Sequence, residues 1–216
     1  MMEIDNFELV RKHLHFDAEN DPDLFYFVQI IARRKDSGTT IKKSQKQIRT
    51  FYIRSLSYYD DHVEQIKMFC KIFNARAYIR LTPSSWRKCT IKAFGELATY
   101  LNNNQCSSLR GLTDSVAGKY PADGVQKLWL IDVDTKEKRV IDRAINIANQ
   151  CTPNAGVPSK VKELVPTKNG VHVITTPFNL QEFKDKWIDA NIEEDAYDSC
   201  PDIHRNNPTL LYYYED

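Results

Sequence analysis

Two aspartates, Asp132 and Asp134, end the apolar run "LWLIDVD". On a β-strand, side chains two residues apart leave the same face, so both carboxylates point one way. Carboxylates that close repel and raise each other's pKa unless a cation lies between them, and the usual cation is hard and divalent, Mg²⁺ or Mn²⁺, held by oxygen. Taken alone, an Asp-x-Asp pair also ends strands in an ordinary solvated turn. His172 follows 38 residues after Asp134 in "TKNGVHVITTPF", where a lone strand histidine is more often a packed residue than a chemical one.

The surroundings of His172 sharpen the reading. Thr167 brings a hydroxyl, Lys168 a cation, and Gly170 a position where a phosphate can approach the backbone. The 38-residue interval leaves room for a helix and a returning strand beside the first. Carboxylates holding a metal, with a lysine, backbone amides and an imidazole on the phosphates, are what a nucleoside triphosphate requires. A third carboxylate is expected downstream. Asp202 in "PDIHRNNPT" offers it, with Arg205 three residues on, and Asp198 is the rival. Two metal ions among three carboxylates suit in-line displacement at phosphorus.

These three motifs resemble those of the archaeo-eukaryotic primase superfamily, the primase-polymerases: an apolar strand ending in D-x-D, a short motif ending in histidine, and a later single aspartate. "TKNGVHV" is similar to the histidine motif of the polymerase domain of bacterial non-homologous end-joining ligases, with Thr167 standing where a serine is common, and "DIHRNN" is similar to the stretch carrying its third carboxylate. The likeness covers roughly residues 125–210. It implies that Asp132, Asp134 and Asp202 ligate Mg²⁺ or Mn²⁺ as catalytic residues, and that Thr167, Lys168, His172 and Arg205 bind the nucleotide. It further implies an α+β fold: a primase-like catalytic core with a mixed or antiparallel, RRM-like sheet packed with helices, and an N-terminal α/β module. The whole of 1–216 would be one primase-polymerase-like domain, with the N-terminal module over about 1–120 and the metal- and nucleotide-binding module over 121–216. Its partners would be a DNA or RNA template and primer, nucleoside triphosphates, and a replicative helicase as a further candidate.

The elements that must position these residues are legible from periodicity. Strands are expected at 24–34, 48–56, 75–81, 127–134, 161–166, 170–178 and 209–214, the last as an edge strand. After a short amphipathic start at 7–14, helices are expected at about 60–73, 86–101 with Ser84 as N-cap, 107–117, 138–150 and 180–189. Strands mixed with helices in this order imply a sheet packed on one or both faces.

Charge and composition narrow the class. The net charge of +1 conceals eight basic residues between Arg33 and Arg54 against one acid, Asp36, and ten acids against three bases from Gln181 onward. The first segment suits a polyanion and the second divalent cations or solvent. Interleaved with those bases, Tyr52, Tyr58, Tyr59 and Tyr78 beside Arg49, Arg54, Arg76 and Arg80 could stack bases, or serve as packing. Five scattered cysteines without a C-x-x-C pair argue against a disulfide framework or zinc knuckle. No apolar run reaches the roughly 20 residues of a membrane span, and the start "MMEIDNFELVRK" lacks the order of a secretory signal, so a cytoplasmic protein without membrane contact is expected. The expected function is a metal-dependent nucleotidyltransferase extending a nucleic-acid 3′-hydroxyl. The alternative is a non-catalytic protein of the same fold that binds nucleic acid through the Arg33 to Arg54 segment.

Overall fold

The computed structural model describes residues 2–16, 23–36, 44–153, 159–193 and 198–215. Lys42 and Lys43 of the basic segment lie outside them. In chain order the elements are β1 (Met2–Asp5), α1 (Phe7–Arg11), β2 (Leu24–Arg33), β3 (Gln45–Ile53), α2 (Leu56–Phe73), β4 (Arg76–Ile79), β5 (Ser84–Ser85), α3 (Trp86–Asn102), a 3₁₀ turn (Cys106–Gly111) and α4 (Leu112–Lys119). They continue with β6 (Trp129–Val133), α5 (Lys138–Gln150), β7 (Val161–Pro166), β8 (Val171–Thr175), α6 (Leu180–Glu193), β9 (Asp202–His204) and β10 (Thr209–Glu215). The fold is α+β with two sheets, and the chain divides into two compact units, Met1–Gln126 with Leu211–Asp216, and Lys127–Leu210. No helix among the described residues is long and apolar enough to cross a membrane.

In the first unit the sheet runs β1-β10-β4-β2-β3, with β5 paired to β2. Alternation along β2 sends Tyr26, Val28, Ile30 and Ala32 to one face and Phe25 and Phe27 to the other, all of them buried. The first face lies under α2, where His62 meets Phe51, the cross-strand partner of Val28. The second packs on Cys89 of α3 and on Val116 and Ala117 of α4. Each long helix starts on a serine whose hydroxyl accepts an orphan backbone N–H: Ser55 from Tyr58 and Ser85 from Lys88, each at 3.0 Å. Ser85, not the expected Ser84, is therefore the cap, and the Ser84 hydroxyl donates instead to the Ala117 carbonyl. The strand expected at the sheet edge, β10, lies between β1 and β4.

The second unit is β-α-β-β-α-β with strand order β7-β8-β6-β9, all pairs antiparallel, a split β-α-β arrangement. Ile131 and Val133 of β6 and Val171 and Val173 of β8 face α5 and α6, packing with Ala144, Ala148, Phe183 and Trp187. Burying each such aliphatic or aromatic side chain contributes roughly 1.5–3 kcal/mol. This core fixes the pleat, so the alternate positions of β6, β8 and β9 must project from the opposite face.

The hairpin joining β7 to β8 closes tightly, with the Thr167 N–H donating to the Gly170 carbonyl at 2.9 Å and the Gly170 N–H donating to the Thr167 hydroxyl at 3.1 Å. Gly170 is required there by its own chain. A Cβ at that position would stand 1.9 Å from the Val133 carbonyl oxygen and 2.6 Å from the Thr135 nitrogen. The space expected to admit a phosphate is filled by the end of β6, which is how the hairpin is held against Asp134. Gly170→Ala should destabilise the protein by about 3 kcal/mol, because only backbone could yield. Chemical denaturation measures this, and a change below about 0.5 kcal/mol, the size of a neutral surface substitution, would contradict the close approach.

Candidate active site

Register brings the chemistry together. Asp132 is paired across β6 with two partners, His172 of β8 on one side and Asp202 of β9 on the other. Directly opposed residues in an antiparallel pair share a face, with Cβ atoms roughly 4.5–5.5 Å apart. Asp132, His172 and Asp202 therefore form one row across three strands, on the face away from α5 and α6. Asp134 leaves the end of β6 two residues beyond Asp132, exposed to solvent.

A cavity of about 420 Å³ opens beside this row, lined by Asp132, Asp134, Glu137, Asp198 and Asp202 together with Cys200. Five carboxylates around one opening would repel strongly without compensation. Asp198 is compensated by the chain: its Oδ2 accepts from Arg139 Nη1 at 2.7 Å and from Arg143 Nη1 at 3.0 Å. The hydrogen bond from Arg139, and then the charges of Arg139 and Arg143, hold this carboxyl below the usual aspartate range. Its backbone carbonyl also accepts from the indole of Trp187 and the amide of Asn191, which ties the segment to α6. Asp198 is thus an anchor. Asp202, exposed and directly opposite Asp132, is the better placed third carboxylate.

His172, the member of the row on β8, is buried. Its Nδ1 is 2.9 Å from the Thr209 hydroxyl and its Nε2 is 3.4 Å from Asp132 Oδ1. Thr167 and Lys168 sit in the hairpin turn packed against Val133 and Thr135, at the Asp134 end of the sheet. Arg205 is not brought to them. It follows β9 at the other end of β6, with its guanidinium 5.3 Å over the ring of Trp129, a residue that packs on the core under α5 and α6.

The donor set meets part of what a hard divalent ion needs. Asp132 and Asp202 are adjacent oxygen donors, Asp134 is near along the strand, and Mg²⁺ commonly takes only one or two carboxylates while keeping several waters. As the side chains stand, no three His, Cys, Asp or Glu among the described residues converge closely enough to enclose an ion. The chemistry fits, and the enclosure is open.

The interleaved aromatic and basic residues of the first unit divide between buried packing and the surface, where Arg49 and Arg54 are exposed. Tyr59 is 1% exposed and its hydroxyl donates to the Phe7 carbonyl. Arg76 is buried in a bidentate pair with Asp36, and Arg54 lies over Tyr58. Arg49 lies over Phe51 and Phe69, and the Tyr52 hydroxyl donates to Asp114. What sequence reasoning missed is on the second unit: Thr209 behind His172, and Arg139 and Arg143 on Asp198. The spacing of the two arginines, four apart on one helix face, was the available signal.

No family model, curated protein or solved structure matches this chain at a significant level.

The Asp198 pairs generate a pH-dependent prediction. A carboxyl held below its unfolded pKa stabilises fully above that pKa, about 3.9, and loses the contribution as pH falls below it toward the folded value. Asp198→Asn should therefore be less stable than wild type at neutral pH, and the gap should narrow below about pH 4. Thermal melting across pH measures this; a gap that is constant down to pH ~3 would show that the arginine pairs are not its cause.

Proposed function

We propose that the protein is a metal-dependent nucleotidyltransferase of the primase-polymerase type, with the second unit as its RRM-like catalytic core. The observation that carries this is the row of Asp132 and Asp202 on neighbouring strands, with Asp134 beside them at one cavity. The split β-α-β topology supports the reading, because it presents such a row on an antiparallel sheet face with both helices behind.

In this reading Asp132, Asp134 and Asp202 supply the oxygens that hold Mg²⁺ or Mn²⁺. A bound ion would lower the pKa of the primer 3′-hydroxyl and neutralise charge developing at phosphorus. The 3′-hydroxyl gives up its proton to solvent, its oxygen bonds to the α-phosphorus of a nucleoside triphosphate, the bond from that phosphorus to the bridging oxygen breaks, and pyrophosphate leaves. Lys168, in the turn at the Asp134 end, supplies a cation for the phosphates, and the hairpin closed by Thr167 keeps that turn rigid. Arg205 takes no part in this arrangement.

The exposed basic residues of an edge strand favour a second reading, a protein of the same fold that binds nucleic acid without catalysis. Its contact surface would be the edge strand β3, where Lys46 and Arg49 are exposed. Salt-sensitive binding that is indifferent to the carboxylates would mark it.

Primer extension with Mn²⁺, a template and deoxynucleoside triphosphates separates the two. Wild type should extend, and Asp132→Ala should lose about 10³-fold in rate, the several kcal/mol a positioned ion supplies, with its melting temperature retained. Metal-independent extension, or full activity in Asp132→Ala, would overturn the polymerase reading.

A further inference from the structure

We infer that His172 serves Asp132 rather than the nucleotide, and that Thr209 fixes it for that task; the inference rests on the metal-binding reading of Asp132. The resemblance assigns this histidine to the phosphates, but a phosphate ligand has to present a nitrogen to the cavity. His172 does not line it. Its side chain is 11% exposed whereas that of Asp132 is 31% exposed, so of the two neighbours the carboxylate is the one that reaches solvent. Val165, the residue paired with His172 on the far side, is fully buried. Both ring nitrogens already face groups of the chain, Thr209 at 2.9 Å and Asp132 at 3.4 Å.

The Thr209 hydrogen bond and the facing carboxylate together select one arrangement of the ring protons. A carboxylate only accepts, so the ring nitrogen facing Asp132 must carry a proton. In the neutral ring the other nitrogen then bears a lone pair, and the Thr209 hydroxyl, 1% exposed, donates to it. The reverse tautomer would set a lone pair of Nε2 against the carboxylate oxygen. Thr209 O–H to Nδ1, then Nε2–H facing Asp132 Oδ1 at 3.4 Å, is thus a directed chain that orients one carboxylate oxygen. Outer partners of this kind set the orientation and basicity of a metal-binding group, and their loss commonly costs 10–100-fold in metal affinity. Thr209 and His172 are positioning residues in this account.

The test uses two readouts on the full chain. First, ¹⁵N NMR of the His172 ring at about pH 8.5, above the ordinary imidazole range, should show a proton on Nε2 and a hydrogen-bonded Nδ1 in wild type and Thr209→Ser. Thr209→Val, similar in shape but without a donor, should move Nδ1 to the value of an unbonded nitrogen. A proton on Nδ1 in wild type, or a Thr209→Val spectrum identical to wild type, would overturn the directed chain. Second, Mn²⁺ affinity is measured without nucleotide. It should fall about tenfold in Thr209→Val and in His172→Ala and stay within about twofold in Thr209→Ser. If His172 instead contacts phosphate, Mn²⁺ affinity will be unchanged in His172→Ala and only triphosphate binding will weaken, which overturns the inference. Failure of the wider reading looks different: wild type itself would then bind no Mn²⁺, while the ring spectrum still decides the Thr209 contact.

Discussion

The site depends on the register of β6 with both of its neighbours. Asp132 faces His172 on one side and Asp202 on the other, and the side-chain period of a strand is two residues. A slip of one residue on either side would send the partner into the core under α5 and α6. The register is specified by apolar pressure from that core, where Ile131, Val133, Val171 and Val173 are all buried. It is locked at one end by the contact of Gly170 with Val133 and Thr135. Packing on one face of the sheet therefore determines chemistry on the other.

Around that row the chain distributes charge unevenly. Of the five carboxylates lining the cavity, Asp198 is neutralised by two arginines and bound to α6 through its backbone, which gives the opening a fixed wall. Asp132 lies 3.4 Å from the buried imidazole of His172. Asp134 and Asp202 remain exposed. On the proposed metal-dependent reading, the two accessible carboxylates would take a cation that brings most of its own water.

How far the sequence discloses this varies with the interaction involved. The strands and helices of the second unit are visible because long apolar or periodic runs encode them, and "LWLI" and "VHVIT" become β6 and β8. β9, three residues of "DIH", carries no period that could announce a strand, although it supplies the pairing that puts Asp202 in place. The final tyrosines look like an edge strand from composition alone. In the structure Tyr212 and Tyr213 are buried, with the Tyr212 hydroxyl donating to Glu3, a partner 209 residues away. The same limit applies to the site. The D-x-D pair and the histidine are local patterns, but the burial of His172, the commitment of Asp198 to arginine and the departure of Arg205 to Trp129 are tertiary facts. Gly170 shows this most clearly, since its residue type suits a phosphate or a neighbouring strand equally and only the fold brings the strand against it.

The most direct test of the central claim is calorimetric titration of a deoxynucleoside triphosphate into the protein with and without Mn²⁺, for wild type and for the double variant Asp132→Asn, Asp202→Asn. The paired-carboxylate account predicts binding that requires the metal in wild type and disappears in the variant. Triphosphate binding that is equal with and without Mn²⁺, or that survives in the variant, would contradict it.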